Sequence, residues 1–321
     1  MLHPPSLLNN PDTMTLSTGQ ARQKGKQTVD LILTVLEIVA PVGLLGAIGF
    51  AWVQSGLEYR MEFITRLCMT LSVPALIFTA LMKTTIDPAA LTSLTLAAIA
   101  CYAVLSLVFW ALLRLGKLSQ RTYLAPLIFG NTGNVGLPLA LFAFGEVGFA
   151  YAVVVFAVMA IFSFTAGVWL VSGGGSPLRA LREPVTWATI LGAVFLWQGW
   201  HTPGWLTNSL VLLGQIAIPV MLITLGVAVA RLNAAHLGRA FVMSVLRVAI
   251  CLGVAAGVGR WLALEPVAFA VLVLQVSTPV AVTSYMLAEK YGADADTVAG
   301  LVIASTVLAV LTLPLTLGFL I

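Results

Sequence analysis

The sequence predicts an all-α polytopic membrane protein, with ten transmembrane helices in two inverted five-helix repeats and with helices 4 and 9 broken. A soluble fold is excluded, because 60% of the 321 residues are hydrophobic, 9% are charged and the mean hydropathy is +1.03. A soluble domain has about 45–50% apolar and about 25% charged residues. The apolar residues form runs of membrane-spanning length, and two of these runs are interrupted in corresponding places. These observations together predict the architecture.

Ten apolar runs follow one another, each near the roughly 20 residues that a helix needs to cross a bilayer. They cover residues 31–53, 61–82, 91–113, 122–143, 147–171, 184–201, 207–230, 239–261, 266–288 and 296–320. Most tryptophans lie near the ends of these runs, where an interfacial aromatic belt is expected. We therefore divide the chain into a disordered polar tail (1–29), a first membrane repeat (30–171), a connector (172–183) and a second membrane repeat (184–321).

Similar segments recur in the two halves. The second run contains SVPALIFTAL at 72–81 and the seventh contains AIPVMLITLG at 217–226, so that Pro74 aligns with Pro219. We interpret both prolines as structural kinks. About the same offset aligns the fourth run with the ninth, and a turn containing glycine follows each of them. Because each repeat has an odd number of helices, the halves have opposite orientations, an arrangement typical of secondary transporters.

The fourth run contains a segment that a lipid-facing helix avoids. Leu127–Ala143 reads LIFGNTGNVGLPLALFA, and its proline removes a backbone donor and clashes with the preceding turn. Irregular backbone at membrane depth is tolerated only where protein buries it or a water-filled cavity receives it. The ninth run carries Pro279 in QVSTPVAVTSYMLA, residues 275–288. We therefore predict that both helices break near the middle of the membrane, beside a cavity.

The residues around these breaks form the predicted substrate site. A helix that begins inside the membrane directs unpaired amides and the positive end of its dipole toward the centre. Two such ends attract an anion without any Lys or Arg, and we predict that the substrate is a small organic anion, in particular a carboxylate. For a single Ser or Thr, a bond to its own helix is the competing interpretation. The predicted binding residues are Asn131, Gly133, Asn134, Gly136, Pro138, Thr278, Pro279, Thr283 and Ser284.

Basic residues in the loops predict the orientation. One side of the membrane has Arg60, Arg114, Lys117, Arg121, Arg179, Arg182, Arg231, Arg239 and Lys290. The other side has Lys83 and Arg260, together with the three basic residues of the tail. Because Lys and Arg are enriched in cytoplasmic loops, the richer side is expected to be cytoplasmic and both termini to lie outside the cytoplasm.

Few charged residues lie inside the runs. An ionised side chain costs about 2.5–3.5 kcal/mol at a helix centre, so we expect Glu37, Arg66 and the deeper Arg247 near an interface. For Arg247, pairing with a helix C-terminus or a carboxylate is also considered. Runs four and nine contain no acidic residue before Glu289. A proton relay usually needs such a carboxylate, which favours uncoupled transport and leaves a sodium- or proton-coupled symporter as the alternative.

Other classes of protein lack their characteristic residues here. No histidine lies deep in a run and no aspartate-rich motif is present, so we do not expect an enzyme. Cys68, Cys101 and Cys251 have no metal or redox spacing, and we predict neither a cofactor nor a metal. The net charge of +4 is spread over short loops and does not indicate a nucleic-acid partner. A channel or a membrane sensor is a less favoured alternative.

Three segments resemble the auxin efflux carrier family, which includes bacterial permeases related to plant auxin exporters and to malonate permeases. They read GNTGNVGLPLALFAFG at Gly130–Gly145, STPVAVTSYMLAEKYG at Ser277–Gly292 and TVLAVLTLPLTLGFLI at Thr306–Ile321. The resemblance covers residues 31–321 and implies ten helices in inverted repeats, with helices 4 and 9 crossing at their breaks. It also implies elevator-type alternating access, a place in the bacterial inner membrane and a homodimer. The expected partners are therefore a small organic anion, the lipid bilayer and a second copy.

The same resemblance assigns residues to the crossing. Asn131, Asn134 and Pro138 would line the helix 4 side, and Pro279, Thr283 and Ser284 the helix 9 side. Plant members have a proline where Ser284 stands, so the break in helix 9 is expected nearer to Pro279. The long cytoplasmic loop of many plant members is also missing, and the short connector takes its place.

Overall fold

A computed structural model of the protein describes residues 33, 40, 41, 43–83, 86–172, 184–231 and 237–320. The predicted tail, Glu37 and the predicted connector beyond Ser172 lie outside the described residues. Within the described ranges the chain is helical and forms no β-strand. The prediction of an all-α protein is therefore confirmed.

The helices cover most of the described parts of the predicted runs, but several runs hold two helices and one helix joins the fourth run to the fifth. In chain order they are α1 Gly43–Gln54, α2 Met61–Leu67, α3 Val73–Lys83, α4 Pro88–Leu115, α5 Gln120–Ile128, α6 Leu137–Phe162, α7 Val168–Ser172, α8 Pro184–Gln198, α9 Gly204–Gln215, α10 Ala217–Arg231, α11 Leu237–Trp261, α12 Pro266–Val276, α13 Val282–Tyr291 and α14 Ala295–Leu320. Single π-helical turns at Cys68–Ser72, Thr132–Gly136 and Ser163–Gly167 lead into α3, α6 and α7.

Six helical segments in the described part of the chain are long and apolar enough to cross a membrane. They are Met61–Lys83, Ala89–Leu115, Thr132–Phe162, Gly204–Arg231, Leu237–Trp261 and Ala295–Leu320. Three further apolar helical segments are shorter, and they include all of α1 and α12. These lengths and compositions are those of a multi-pass membrane protein.

Three prolines lie where the regular helical pattern is already interrupted. Pro74 follows the π-helical turn before α3, Pro138 follows the one before α6, and Pro219 follows the turn at Ile216 that separates α9 from α10. A proline inside a regular helix removes a hydrogen bond and clashes with the preceding turn, whereas an interrupted helix can accommodate the ring. The predicted kinks at Pro74 and Pro219 thus coincide with interruptions of the second and seventh spans.

Both predicted glycine turns are present. Gly145 has φ +63° and divides α6 into arms at 137–144 and 146–162, and Gly292 has φ +67° after the end of α13. Glycine adopts this left-handed backbone conformation readily because it has no Cβ. The predicted fourth and fifth helices therefore meet at Gly145.

The helices pack as two groups. In the first group, α2, α3, α8, α9 and α10 pack on one another; in the second, α4–α7 pack with α11–α14. Helix α1 approaches α10 so closely that a Cβ on Gly49 would lie 2.0 Å from the carbonyl oxygen of Ile223. We call these the first bundle, with α1 included, and the second bundle. Fewer contacts join the bundles, mainly those of α3, α8 and α10 with α6 and the turn before it.

An arginine at the start of α5 ties together two helix ends in the second bundle. Arg121 Nε donates to the carbonyl oxygen of Val171 at 2.8 Å, and Nη2 donates to the carbonyl oxygen of Tyr291. The last carbonyls of a helix have no donor within it, so these bonds cap α7 and α13.

We expect Arg121→Gln to lower the unfolding temperature of the detergent-purified protein. Each lost bond from a charged donor contributes about 1.5–3 kcal/mol, and both carbonyls lose their partner. Arg239→Gln is the matched control, because Arg239 is exposed at the start of α11, as Arg121 is on α5, but makes no capping bond within the described residues, and such a surface change usually stays within about 0.5 kcal/mol. Equal unfolding temperatures for the two variants would contradict the capping role.

Candidate functional site

The breaks predicted in the fourth and ninth runs lie against each other. Gly130 and Val280 form an isolated antiparallel bridge, and the Asn131 N–H donates to the carbonyl oxygen of Pro279 at 2.7 Å. The Val280 N–H donates to Oγ of Ser305 on α14 at 2.9 Å. Lipid offers no hydrogen-bond partners to non-helical backbone at membrane depth, so the protein itself must supply them. These bonds supply such partners.

The first break lies upstream of the proline that suggested it. Helix α5 ends at Ile128, and regular α-helix resumes at Leu137, so that Pro138 belongs to the first turn of α6. The π-helical turn at Thr132–Gly136 runs directly into this turn, and a helix interrupted in this way can accommodate the proline ring. The second break contains Pro279 itself, as expected from the departure at Ser284.

Asn131 starts the second half of the fourth span. Its Oδ1 accepts a hydrogen bond from the Asn134 N–H at 3.3 Å, which is the capping bond of a helix N-terminus. With Oδ1 so engaged, Nδ2 is left as a donor. This atom is buried without a hydrogen-bond partner among the described residues, and Asn131 as a whole is only 5% exposed. An unpaired buried donor is costly, so a partner outside the protein chain is expected.

A cavity between the two bundles adjoins both breaks. The first bundle contributes side chains of α2, α10 and the π-helical turn after α2, and the second contributes the breaks and the 146–162 arm of α6. The lining residues are Met61, Thr65, Cys68, Met69, Gly130, Asn131, Gly133, Asn134, Phe156, Met159, Ala160, Ser163, Met221, Thr224, Ala281, Val282 and Thr283. None of these described lining residues is charged. The N-termini of the second half-helices therefore meet at an uncharged cavity whose remaining lining is mostly apolar and rich in sulfur, with hydroxyls at Thr65, Ser163 and Thr224.

The loop before α2 is hydrogen-bonded to α10 at one end of the cavity. The hydroxyls of Tyr59 and Thr224 lie 2.6 Å apart, and Arg231 Nη2 donates to the carbonyl oxygen of Tyr59 at 2.8 Å. Burial raises the pKa of the Tyr59 hydroxyl above its usual value, so this group stays protonated at neutral pH. The loop before α2 is thereby fixed to α10 beside Thr224, which lines the cavity.

Arg247 lies behind the cavity: its predicted position near an interface is wrong, and the alternative, pairing with a helix C-terminus, is confirmed. The side chain is completely buried in α11, with Nε donating to the carbonyl oxygen of Leu127 at 3.0 Å and Nη1 to that of Thr278 at 2.6 Å. Both acceptors stand where a helix breaks, and these two bonds offset part of the cost of burying the guanidinium, whose Nη2 is buried without a hydrogen-bond partner among the described residues. The sequence contained a signal for this contact, because a deep arginine needs hydrogen-bond acceptors and the carbonyls at two helix breaks need donors. In contrast, Arg66 is exposed and lies 3.8 Å from the Glu62 carboxylate.

Comparison with known proteins agrees with this geometry. Residues 34–176 and 168–317 match the family described as "Membrane transport protein", which is the auxin efflux carrier family. The chain belongs to this family. It is also 28% identical, over 303 residues, to an uncharacterized transporter of Methanothermobacter thermautotrophicus, covering 90% of this chain and 97% of that protein. The resemblance seen in the three sequence segments is confirmed, and membership in the family indicates transport rather than catalysis.

The structure of this auxin efflux carrier family member brings four of the predicted binding residues to the cavity. They are Asn131, Gly133, Asn134 and Thr283. Gly133 is close-packed, since a Cβ there would lie 3.0 Å from the ring of Phe156. Whether these four residues contact substrate remains a prediction.

The other five predicted binding residues do not line this cavity. A Cβ on Gly136 would lie 2.0 Å from Oε1 of Gln275, so this glycine permits close packing of α12. Thr278 is buried and its hydroxyl donates to the carbonyl oxygen of Gln275 at 2.7 Å. Pro138 and Ser284 are buried in the half-helices, and Pro279 lines a separate apolar pocket with residues of α1, α10 and α14. These positions favour roles in shaping the breaks.

Proposed function

We propose that the protein is a secondary transporter of small organic anions, in particular carboxylates. The observation that carries this proposal is the buried Nδ2 of Asn131, a donor without a partner in the described part of the chain, at the cavity where two helix N-termini meet. Such termini carry roughly half a positive charge each and bind anions through their amides. A carboxylate supplies the missing acceptor as well as the compensating charge.

The same cavity supports alternating access of the elevator type, with ten helices in two inverted repeats. It lies between the two bundles, so that sliding of the second bundle along the first would carry the breaks across the membrane. The end of the cavity near Met61 adjoins a loop with Arg60, and α10 ends there at Arg231. On the proposed orientation, with basic loops in the cytoplasm of a bacterial cell and both termini outside, this end of the cavity lies on the cytoplasmic side.

The lining also indicates the kind of anion. Met61, Met69, Met159 and Met221 line the cavity together with Phe156. Methionine side chains are flexible and polarisable and adapt to apolar groups of different shape. We therefore infer that the carboxylate is attached to an apolar body, which would lie on the methionine side of the cavity.

We propose that transport follows the substrate gradient and the membrane potential without a coupling ion. The described lining residues include no carboxylate, which a proton or sodium relay usually needs. A potential of 100 mV contributes about 2.3 kcal/mol per unit charge moved, which is sufficient to drive an anion. The alternative on the same fold is a sodium- or proton-coupled symporter of the bile-acid-carrier type.

The test is uptake by proteoliposomes that contain the purified protein. A panel of labelled mono- and dicarboxylates is offered with an imposed potential, a sodium gradient or a pH gradient, each alone. We expect saturable uptake of a monocarboxylate with an apolar body that responds to the potential alone. Uptake that requires sodium or protons would favour the symporter, and non-saturating flux would favour a channel. If no carboxylate enters under any gradient, the proposed substrate class is wrong.

A further inference from the structure

The guanidinium of Arg247 joins the ends of two helices that are distant in sequence. Leu127 lies in the last turn of α5 and Thr278 follows the end of α12, and the carbonyl of each accepts a hydrogen bond from this side chain. The last carbonyls of a helix have no donor within it, and at membrane depth no water replaces that donor. Arg247 thus caps both first half-helices from the middle of α11.

The charges at this point balance without an acidic residue. A helix C-terminus carries about half a negative charge, so two of them offset about one positive charge. Both ion pairs found in the described residues lie elsewhere, at Arg60 and Arg66. The half-helix ends are therefore the counter-charge of Arg247. With these negative ends neutralised, the positive N-termini of the second half-helices face the cavity unopposed.

In many transporters, the free carbonyls at broken helix ends coordinate the coupling Na⁺ or H⁺. We propose that Arg247 is a resident cation that occupies these carbonyls permanently, so that the carrier needs no co-transported cation at the crossing. Arg247 is accordingly a positioning residue: it holds the two breaks together and does not line the cavity. The consequence for coupling rests on the proposed transport function, whereas the placement of the cation does not.

The residue opposite the guanidinium fits this assignment. A Cβ on Gly130 would lie 2.4 Å from Oγ1 of Thr278 and 3.0 Å from Nη2 of Arg247. Only glycine leaves space here for the guanidinium and for the bridge between Gly130 and Val280. The break in the fourth span is thus shaped to receive a planar cation from α11.

Chemical rescue tests the placement without any transport assay. Arg247→Ala leaves a cavity that a free guanidinium ion can fill, whereas urea has a similar planar shape and no charge. We expect the variant to unfold at a lower temperature than the wild type, since each lost bond from a charged donor changes the folding equilibrium by roughly tenfold or more. Millimolar guanidinium should raise its unfolding temperature by several degrees, because a ligand that binds only the folded state stabilises it. Urea should not, and Arg66→Ala should respond to neither.

The outcomes separate this proposal from the proposed function. Equal rescue by urea, or wild-type stability of Arg247→Ala, would overturn the resident cation. If Arg247→Ala does not accumulate, Arg247→Lys and Arg247→Gln replace it; the lysine variant should be the more stable, and equal stability would overturn the proposal. In proteoliposomes, wild-type uptake should be equal in sodium and choline, and guanidinium should restore uptake by Arg247→Ala. Strict sodium dependence overturns the consequence for coupling but leaves the cation's placement and a transporter, whereas guanidinium-specific rescue of stability without any carboxylate uptake overturns the proposed function alone.

Discussion

Replacement of Asn134 by alanine should abolish measurable carboxylate uptake at limiting substrate while leaving expression and membrane insertion intact. Asn134 lines the cavity, and its backbone N–H, which alanine retains, donates to the capping Oδ1 of Asn131. The variant therefore removes a side-chain amide from the cavity and preserves the helix start. A hydrogen bond to a charged group contributes about 1.5–3 kcal/mol, which corresponds to roughly a 10- to 100-fold loss in apparent affinity. Initial uptake rates over a range of substrate concentrations measure this effect.

Asn208→Ala is the matched control for this prediction. Asn208 is exposed on α9, away from the cavity, and its replacement by alanine should leave uptake unchanged. Asn131 is a less informative position, because its side chain also caps a helix and alanine there would cost about 0.5–2 kcal/mol of stability. Normal uptake by Asn134→Ala would show that the substrate does not bind at the crossing of the breaks.

The breaks were predictable because they follow from local covalent chemistry. Glycine and proline cannot continue a regular helix without cost, and two asparagines in a hydrophobic run need polar partners, so Leu127–Ala143 predicted an interruption. The position of the interruption was less certain. A proline is accommodated just after an interruption of the regular pattern, and Pro138 lies just after the π-helical turn with which the second half-helix begins. Pro74 and Pro219 follow the same rule.

The members of the site were harder to predict because they depend on contacts between distant segments. A π-helical turn inserts one extra residue and rotates the following side chains, which no single-run pattern reveals. Gly136 is turned toward Gln275 in this way, although it lies only two residues beyond Asn134, which lines the cavity. Thr278 likewise satisfies its hydroxyl within its own segment. Sequence patterns thus indicated the breaks, but only the packing showed which side chains face the cavity.

The position of Arg247 was also hard to predict from the sequence, because it too depends on contacts with distant segments. The cost of a deep charge was evident, yet its acceptors are 120 and 31 residues away along the chain. The position of the Arg247 side chain is therefore determined by acceptors at the ends of α5 and α12, and the amphipathic pattern of α11 does not reveal it. An interfacial position is the reasonable expectation for a lone arginine in an apolar run, and the paired helix breaks overrule it.

The second large effect concerns the wall of the cavity formed by the first bundle. Gly226→Ala should strongly destabilise the protein, because a Cβ there would lie 1.8 Å from the carbonyl oxygen of Gly46 and 2.9 Å from the amide nitrogen of Phe50. Both atoms are backbone of α1, so that no side-chain rotation relieves the clash. Overpacking of a well-packed interior costs about 1–3 kcal/mol, and here α1 must move away from α10 as a whole.

Whether Gly226→Ala lowers or raises the unfolding temperature distinguishes an effect of packing from an effect of helix propensity. In an open helix position, alanine is favoured over glycine by about 1 kcal/mol, so propensity alone would stabilise Gly226→Ala. Gly253→Ala in α11 is the matched control, since nothing lies within 4 Å of a Cβ at that position, and it should be neutral or stabilising. Thermal unfolding of the purified variants measures both. If Gly226→Ala unfolds at or above the wild-type temperature, α1 and α10 are not in backbone contact, and α10, which carries Met221 and Thr224 into the cavity, is not supported by α1.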